Sequence, residues 1–186
     1  MIKKLLLATA LASVAACDAY AAEVLQKFDV AEDHTRFAFA DAPVHENGMP
    51  AHGNPFVTQG YIYPAGTLQG ESSGVNEDGS AVYPELVLGT WTCDGWFVGE
   101  GGNTESGVWL ISRQVFVFND GDTVITQGTE LADKGVFNAR PITGATGDYA
   151  DQDGVMMQKL LGFNEFMGVN ATFELSGDAS VVTPQG

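Results

Sequence analysis

Three charged residues stand among apolar, strand-like runs and are the first candidates for chemistry. Arg113 interrupts the apolar run 107–118, Glu130 lies in the following run, and Arg140 directly precedes Pro141. A charge in such surroundings is usually paired when it is buried. A buried pair of this kind can orient a ligand and polarise a carbonyl or an enolate. We therefore predict Arg113, Glu130 and Arg140 as polar orienting groups, with a cross-strand or diagonal contact between Arg113 and Glu130. A structural ion pair or an exposed arginine is the alternative.

Aromatic side chains are the natural candidates for the walls of a ligand site. Because alternate side chains of a strand share a face, Tyr61 and Tyr63 are expected on one face of their strand, and Trp91 and Cys93 on one face of theirs. Such residues build cavity walls in small barrels, although each can equally serve packing. With no histidine or lysine nearby to lower its pKa, Cys93 is expected to be a buried thiol rather than a nucleophile. The predicted ligand-binding residues are Tyr61, Tyr63, Trp91, Cys93, Asp94 and Trp109.

One cluster has metal-ligand residue types, but we predict no metal. His45, Glu46 and His52 fall in the stretch 41–55, with His34 eleven residues earlier, and these side chains could ligate a transition metal. Such residues on a long loop more often bind no metal. A loop of this length is often functional, and a lid over the mouth of a barrel is the preferred interpretation.

Familiar catalytic and cofactor motifs do not occur. The glycine-rich stretch 144–147 has no following helix and no Gly-Lys-Ser/Thr, which excludes a phosphate loop. No serine lies in a G-x-S-x-G elbow, and no local Cys–His arrangement suits nucleophilic catalysis. We predict that the protein uses no cofactor.

Short apolar bursts separated by Gly, Asp and Asn follow one another from Phe56 onward, without a sustained helical period. This spacing is typical of strands joined by turns, hence of an all-β protein. Eight strands are the number at which a barrel closes around side chains or one small ligand. The predicted strands are 56–63, 65–72, 86–98, 107–118, 123–132, 136–143, 153–161 and 166–175.

The clearest predicted hairpin is 107–132, with its turn at 119–122. Its first strand is apolar on both faces, and only one face can fill a barrel. The other needs a cover, which predicts a subunit interface or a packed terminal segment. One face carries Trp109, Ile111, Val115 and Val117, and the other Val108, Leu110, Phe116 and Phe118.

The first residues have the order of a secretory signal. Lys3 and Lys4 precede an apolar run over 5–16 and then small residues. A cut after Ala21 follows the A-x-A rule and makes 1–21 a signal peptide, which predicts a periplasmic or secreted protein. A competing cut before Cys17, in a lipobox-like Val-Ala-Ala-Cys, would leave an acylated cysteine and a membrane-anchored lipoprotein.

The remaining chain divides by composition. We predict an N-terminal extension and loop over 22–54, a barrel domain over 55–176 and a loosely held tail over 177–186. The run 37–40 (FAFA) could add an edge strand. After cleavage at Ala21 only Cys93 remains, so no intrachain disulfide can form and the core must be stable without one.

The chain is strongly acidic. Its formal net charge is −16, and removal of residues 1–21 takes away two lysines and one aspartate and brings it to −17. Such a surface repels nucleic acid and anionic lipid. No nucleic-acid partner is expected, and a membrane partner only if Cys17 is lipidated.

Several stretches resemble the allene oxide cyclase and dirigent superfamily. The run 142–149 (ITGATGDY), followed by Gly154, resembles the ITGGTG-x-Y/F…G segment of that superfamily, with Ala145 in place of its second glycine. The resemblance spans about 56–175 of this sequence. Further runs that resemble bacterial members in the same order are 60–68, 89–93 and 162–175.

This resemblance implies a fold and a mode of action. The fold is an eight-stranded antiparallel closed barrel, often in dimers or trimers, with a mostly apolar cavity. Barrels of this kind hold a reactive small molecule in one conformer, so that a cyclisation or coupling has one stereochemical outcome without a catalytic triad.

The function expected from this resemblance is an exported isomerase or cyclase that binds a small apolar organic molecule and steers its cyclisation, isomerisation or coupling. Its expected partners are that hydrophobic ligand and further copies of itself, in a homo-dimer or trimer. The alternatives are a non-catalytic carrier of a hydrophobic ligand and a structural protein whose barrel is filled solid.

Overall fold

The computed structural model describes residues 25–69 and 72–176. The predicted signal peptide 1–21, the lipobox cysteine Cys17 and the predicted tail 177–186 lie outside the described residues. Within the described ranges, no helix is long and apolar enough to cross a membrane.

Nine antiparallel strands form one sheet that closes on itself, which confirms the predicted all-β barrel. The order is β1-β9-β8-β7-β6-β5-β4-β3-β2, and pairing of β1 with β3 closes an eight-stranded barrel while β2 extends the edge beside β3. The strands are β1 Lys27–Glu32, β2 Ala38–Phe39, β3 Pro55–Pro64, β4 Gly89–Phe97, β5 Val108–Phe118, β6 Thr123–Leu131, β7 Phe137–Ala145, β8 Val155–Phe163 and β9 Val169–Ser176. In the part of the chain that the structure describes, four short 3-10 helices span His34–Arg36, Pro84–Leu86, Gly101–Asn103 and Gly147–Tyr149.

The eighth barrel strand is β1, not the predicted strand 65–72. The described residues 65–69 form a turn, and the buried carboxylate of Asp29 fixes it by accepting the backbone N–H groups of Gly66 (2.8 Å) and Leu68 (3.0 Å). The barrel therefore begins at Lys27, inside the segment predicted as an extension over 22–54. The edge strand predicted in 37–40 is present as β2.

Closure depends on a close approach of β1 and β3 at Gly60. A Cβ added to Gly60 would lie 2.2 Å from the carbonyl oxygen of Ala31. Only a residue without a side chain allows the two backbones this separation. The seam that completes the barrel is therefore specified by one glycine.

The predicted hairpin is present as β5 and β6, with Val117 opposite Thr123. From Leu110 onward, alternation along β5 separates the two predicted faces, with Leu110, Phe116 and Phe118 buried inside the barrel. Val108, predicted on the same face, is instead 40% exposed, because the pairing with β6 changes register between Val108 and Leu110. Ile111 and Val117 lie on the outer face and are about two-fifths exposed, at 44% and 39%.

One end of the barrel is closed by aromatic packing. Phe28 of β1 contacts the rings of Phe116 (centroids 5.2 Å apart), Phe118 (5.6 Å) and Phe173 (5.5 Å). All four side chains are buried, and edge-to-face and offset contacts of this kind stabilise a core beyond the area they bury. We call this end the base. The opposite end, where β1 ends at Glu32 and β4 at Phe97, is the rim.

Candidate functional site

Polar side chains form a layer inside the barrel, between the aromatic base and the rim. They come from the inward positions of β5, β6, β7 and β8 and are more than nine-tenths buried. We call this set the polar layer, and its members are Ser112, Gln114, Thr126, Glu130, Arg140 and Gln158.

Arg140 is the centre of the polar layer and has no exposed surface. Its Nη1 lies 3.8 Å from Glu130 Oε1, and Nη1 donates to the carbonyl of Thr129 at 2.9 Å. Nη2 donates to the carbonyl and to the hydroxyl of Ser112, both at 3.0 Å, and Nε donates to Thr126 Oγ1 at 3.2 Å. The guanidinium is thus held in one orientation by residues of β6 and β5.

Glu130 supplies the compensating charge. Gln158 Nε2 donates to its Oε2 at 2.7 Å, and the Ser112 hydroxyl donates to its Oε1. Cys93 Sγ lies 3.5 Å from the same Oε1. Burial, together with the negative charge of Glu130, raises the pKa of the Cys93 thiol well above its ordinary value. Cys93 is therefore a thiol at neutral pH and a poor nucleophile.

A second carboxylate, Glu32, lies at the rim end of the interior. Its Oε2 accepts the backbone N–H of Val169 at 2.6 Å, and the side chain is almost fully buried. Burial raises the pKa of Glu32 from 4.5 to about 7, opposed by the hydroxyl of Thr58 and the Val169 N–H and reinforced by the charge of Glu130. A carboxyl group with this pKa can both hold and release a proton near neutral pH.

Two of the predicted site residues, Arg113 and Asp94, lie outside the barrel. Arg113 alternates with inward-facing Ser112 and Gln114, so its side chain points outward and is largely exposed. It pairs with Asp94 of β4, with Nη2 and Oδ1 2.8 Å apart. The predicted contact between Arg113 and Glu130 is therefore wrong, because the two side chains are on opposite faces of the sheet.

Tyr61 and Tyr63 share a face as expected, but it is the outer face of β3. Tyr63 is fully buried there beneath the connection between β3 and β4, and its hydroxyl donates to the carbonyl of Gly74 at 2.6 Å. Burial raises the pKa of Tyr63 to about 12. The Tyr61 hydroxyl donates to the carbonyl of Gly79 at 3.0 Å. Both tyrosines hold this connection on the barrel and take no part in its interior.

The tryptophans predicted as walls differ in position. Trp91 lies inside the barrel, and no described residue accepts a hydrogen bond from its buried indole Nε1–H. Trp109 is half-buried at the rim, where its ring makes edge contacts with Phe97 and Phe163, each 6.1 Å between centroids.

Large apolar side chains close the rim end of the interior in this conformation. Phe56, Phe97 and Leu110 lie at the rim end and are each at most 6% exposed, so they separate the polar layer from solvent. Two grooves, one along the rim end of β8 and one in the connection between β3 and β4, lie outside the barrel. A ligand can reach the polar layer only when rim side chains move.

The loop 41–55 is attached to the turn that follows β4. Asn47 Nδ2 donates to Asn103 Oδ1 at 2.9 Å, and Gly102 N–H donates to the carbonyl of Pro50 at 2.8 Å. Nε2 of His45 lies 2.9 Å from the carbonyl oxygen of Glu100. Within residues 25–69 and 72–176, no three His, Cys, Asp or Glu side chains are placed to hold a metal ion together.

The chain is similar to known proteins in its fold and not in its sequence. No family model and no curated protein sequence matches it. Among solved structures it is similar to a pyocyanin demethylase, with a TM-score of 0.51 and 13% identity over 81% of this chain and 98% of the other. It is also similar to the pterocarpan synthase dirigent protein PsPTS1, with a TM-score of 0.57 and 12% identity over 80% of this chain and 89% of the other. The expected dirigent-like barrel is thereby confirmed as a fold.

Proposed function

We propose that this barrel binds a small, largely apolar organic molecule between the rim and the polar layer and steers its cyclisation, isomerisation or coupling. The observation that carries the proposal is the buried contact of Arg140 with Glu130, 3.8 Å apart, inside a barrel whose remaining core is largely aromatic and aliphatic. In this proposal the polar layer orients one polar group of the ligand, and the apolar rim residues surround the rest.

Stability alone gives little reason for such a layer. A buried ion pair costs desolvation energy, and well-packed apolar side chains of similar volume often give an equally stable or more stable core. Four hydrogen bonds from the guanidinium of Arg140 to residues of β5 and β6 offset this cost. A fixed cation beside an apolar compartment is suited to polarise a carbonyl or stabilise an enolate.

Glu32 adds acid–base chemistry to this proposal. An isomerisation that moves a double bond requires removal of a proton from one carbon and its return to another. A carboxyl group with a pKa of about 7 can accept that proton and give it back at neutral pH. Glu32 then supplies proton transfer, while Arg140 stabilises the charge that forms on the ligand oxygen.

Probe binding tests the location of the site. We expect N-phenyl-1-naphthylamine, a neutral fluorescent probe, to bind the mature protein, and the double variant Glu130→Gln/Arg140→Met to bind it at least tenfold more weakly. The double variant replaces both charges, so no unpaired charge is left in the core. Arg113→Met, which removes an arginine from the outer face, is the matched control and should bind like the parent. Equal affinity of all three proteins would contradict an interior site.

A second experiment separates catalysis from transport. Mature protein is recovered from the exporting host, its bound small molecules are identified by mass spectrometry, and each is followed over time with the protein. Conversion of the ligand or a related precursor, lost in Glu32→Gln, supports the enzyme. An unchanged ligand shows a carrier. The N-terminal residue of the same preparation, Ala22 or an acylated Cys17, decides between secretion and membrane attachment.

The outer face of β3, β4 and β5 supports self-association as part of this proposal. Trp96 of β4 is 55% exposed on this face and pairs with Ile111 of β5. Val57 of β3 pairs with Asp94 of β4, and the charge of Asp94 is compensated by the ion pair with Arg113. This apolar, locally neutral face is where two copies of a strongly acidic protein repel each other least.

We therefore predict a homo-dimer or trimer that Trp96→Glu dissociates. Light scattering after size-exclusion chromatography should give the monomer mass for Trp96→Glu at micromolar concentration and an oligomer for the parent. Leu86→Glu, at an exposed leucine of the 3-10 helix Pro84–Leu86, is the matched control and should leave the oligomer intact. A monomeric parent would contradict the prediction.

A further inference from the structure

Exposed apolar side chains are concentrated at the rim of the barrel. Large exposed ones occur in the segment 33–54 between β1 and β3, at 132–136 between β6 and β7, and at 164–168 between β8 and β9. The last residue of β8 adds an exposed phenylalanine at the same end. We call this set the rim patch, and its members, between 37% and 70% exposed, are Phe37, Phe39, Val136, Phe163 and Met167.

The connections at the base have a different composition. The turns 119–122 and 146–154 are rich in Asp and Gly and carry no exposed large apolar side chain. In the described part of the connection 65–88, Leu86 is the one large apolar residue that is exposed. Polar turn residues would serve equally well at the rim, so the asymmetry is not a requirement of the fold. A group of large exposed apolar side chains at one end marks an interaction surface.

Cations lie beside two members of the rim patch. The Lys134 ammonium is 5.6 Å from the centre of the Phe163 ring. Arg36, whose side chain is 64% exposed, directly precedes Phe37 in the chain. Apolar side chains flanked by long basic ones are typical of surfaces that lie in a membrane interface, where the apolar groups enter the acyl boundary and the cations reach the lipid phosphates.

The charge of the chain decides which lipid suits this surface. A net charge of −16 repels an anionic bilayer. A zwitterionic headgroup offers a phosphate to Arg36 and Lys134 and a cation to the exposed carboxylates of Glu46 and Glu165, which lie in the same rim connections. A second copy is a less suitable occupant, because it would place these acidic connections opposite one another.

We propose that the rim patch docks the protein on the surface of a zwitterionic phospholipid bilayer. Phe37, Phe39 and Met167 enter the acyl boundary, while Arg36 and Lys134 contact phosphates. The mouth of the barrel then faces the lipid, in which an apolar ligand dissolves. This attachment needs neither an acylated cysteine nor a ligand in the barrel, so it can be tested apart from the proposed function.

Flotation with lipid vesicles tests the proposal. The protein without residues 1–21, which therefore lacks Cys17, is mixed with vesicles and centrifuged through a density gradient. We expect it to float with vesicles of phosphatidylcholine and to float less with vesicles of phosphatidylglycerol, whose negative surface repels the acidic chain. Absence of flotation with phosphatidylcholine, or stronger flotation with phosphatidylglycerol, would overturn the proposal.

Two exposed apolar residues at opposite ends of the barrel provide a matched pair of variants. Met167 lies in a rim connection and Leu86 in a base connection, and glutamate at either exposed position adds one negative charge. Met167→Glu should weaken binding to phosphatidylcholine vesicles about tenfold, because it replaces buried apolar surface with a carboxylate. Leu86→Glu should bind like the parent. Unchanged binding of Met167→Glu, or equal loss in both variants, would overturn the proposal.

Light scattering without lipid separates the bilayer from a second copy as the occupant. We expect Met167→Glu to have the same mass in solution as the parent. A lower mass for Met167→Glu would assign the rim patch to contact between copies and overturn the proposal.

Discussion

Replacing Arg140 with methionine should lower the free energy of unfolding by about 3–5 kcal/mol, the largest effect expected of any single charge substitution in this chain. The change removes the cation 3.8 Å from Glu130 and leaves a carboxylate buried with no compensating charge. It also leaves the carbonyl of Ser112 and the hydroxyl of Thr126 without their present donor. Urea denaturation followed by circular dichroism measures the loss.

The double variant Glu130→Gln/Arg140→Met distinguishes a charge effect from a packing effect. With both charges removed, most of the lost stability should return, because the penalty arises from the uncompensated carboxylate. Arg113→Met breaks the exposed pair with Asp94 and should change the stability by about 1 kcal/mol or less. A double variant as unstable as Arg140→Met would show that the guanidinium matters through its packing and backbone hydrogen bonds instead.

Replacing Glu32 with glutamine should stabilise the protein by about 3 kcal/mol at pH 8, since each unit of pKa shift corresponds to about 1.4 kcal/mol. The pKa of Glu32 is about 7 in the folded protein against 4.5 for the ordinary carboxyl, because burial favours the neutral form. Below about pH 4.5 the group is protonated in both states, and its protonation favours neither. As the pH rises to about 7 the unfolded chain ionises first, so the folded state loses stability over this interval.

The glutamine variant lacks this titration and keeps an acceptor for the Val169 N–H. Denaturation measured from pH 4 to pH 8 should therefore show a fall in parent stability between about 4.5 and 7 that Glu32→Gln does not share. Glu85→Gln, at an exposed glutamate, is the control and should follow the parent. Parallel curves for the parent and Glu32→Gln would mean that Glu32 is not desolvated in the folded protein.

The spacing of apolar bursts and turn residues predicts most of the barrel, but not the strand that closes it. In the run of Lys27–Glu32, apolar Phe28 and Val30 alternate with Asp29, yet the surrounding segment is polar and has few apolar residues. This run becomes a strand because of non-local contacts, since it pairs with β3 on one side and with β9 on the other. The predicted strand 65–72 is wrong for a related reason, since the Asp29 carboxylate stabilises a turn there.

The candidate site was predictable only in part, because alternation divides a strand into two faces without saying which is inside. In β5 both faces carry large apolar residues, so sequence could not show that Arg113 points outward. Ser112 and Gln114 share the face of Phe116, and a polar pair on that face was a signal for the polar layer. Arg140 and Glu130 were predicted as orienting groups from their apolar surroundings, and the barrel places them together.

The three tryptophans of the chain allow the most direct test of an interior ligand site. Trp91 lies inside the barrel, Trp109 at the rim and Trp96 on the outer face, so their indole N–H signals in a ¹H–¹⁵N spectrum report on three locations. Titration of the protein without residues 1–21 with N-phenyl-1-naphthylamine should shift the signals of Trp91 and Trp109 and leave that of Trp96 unchanged. A shift of Trp96 alone, with Trp91 unaffected at saturation, would contradict the proposed binding site in the barrel.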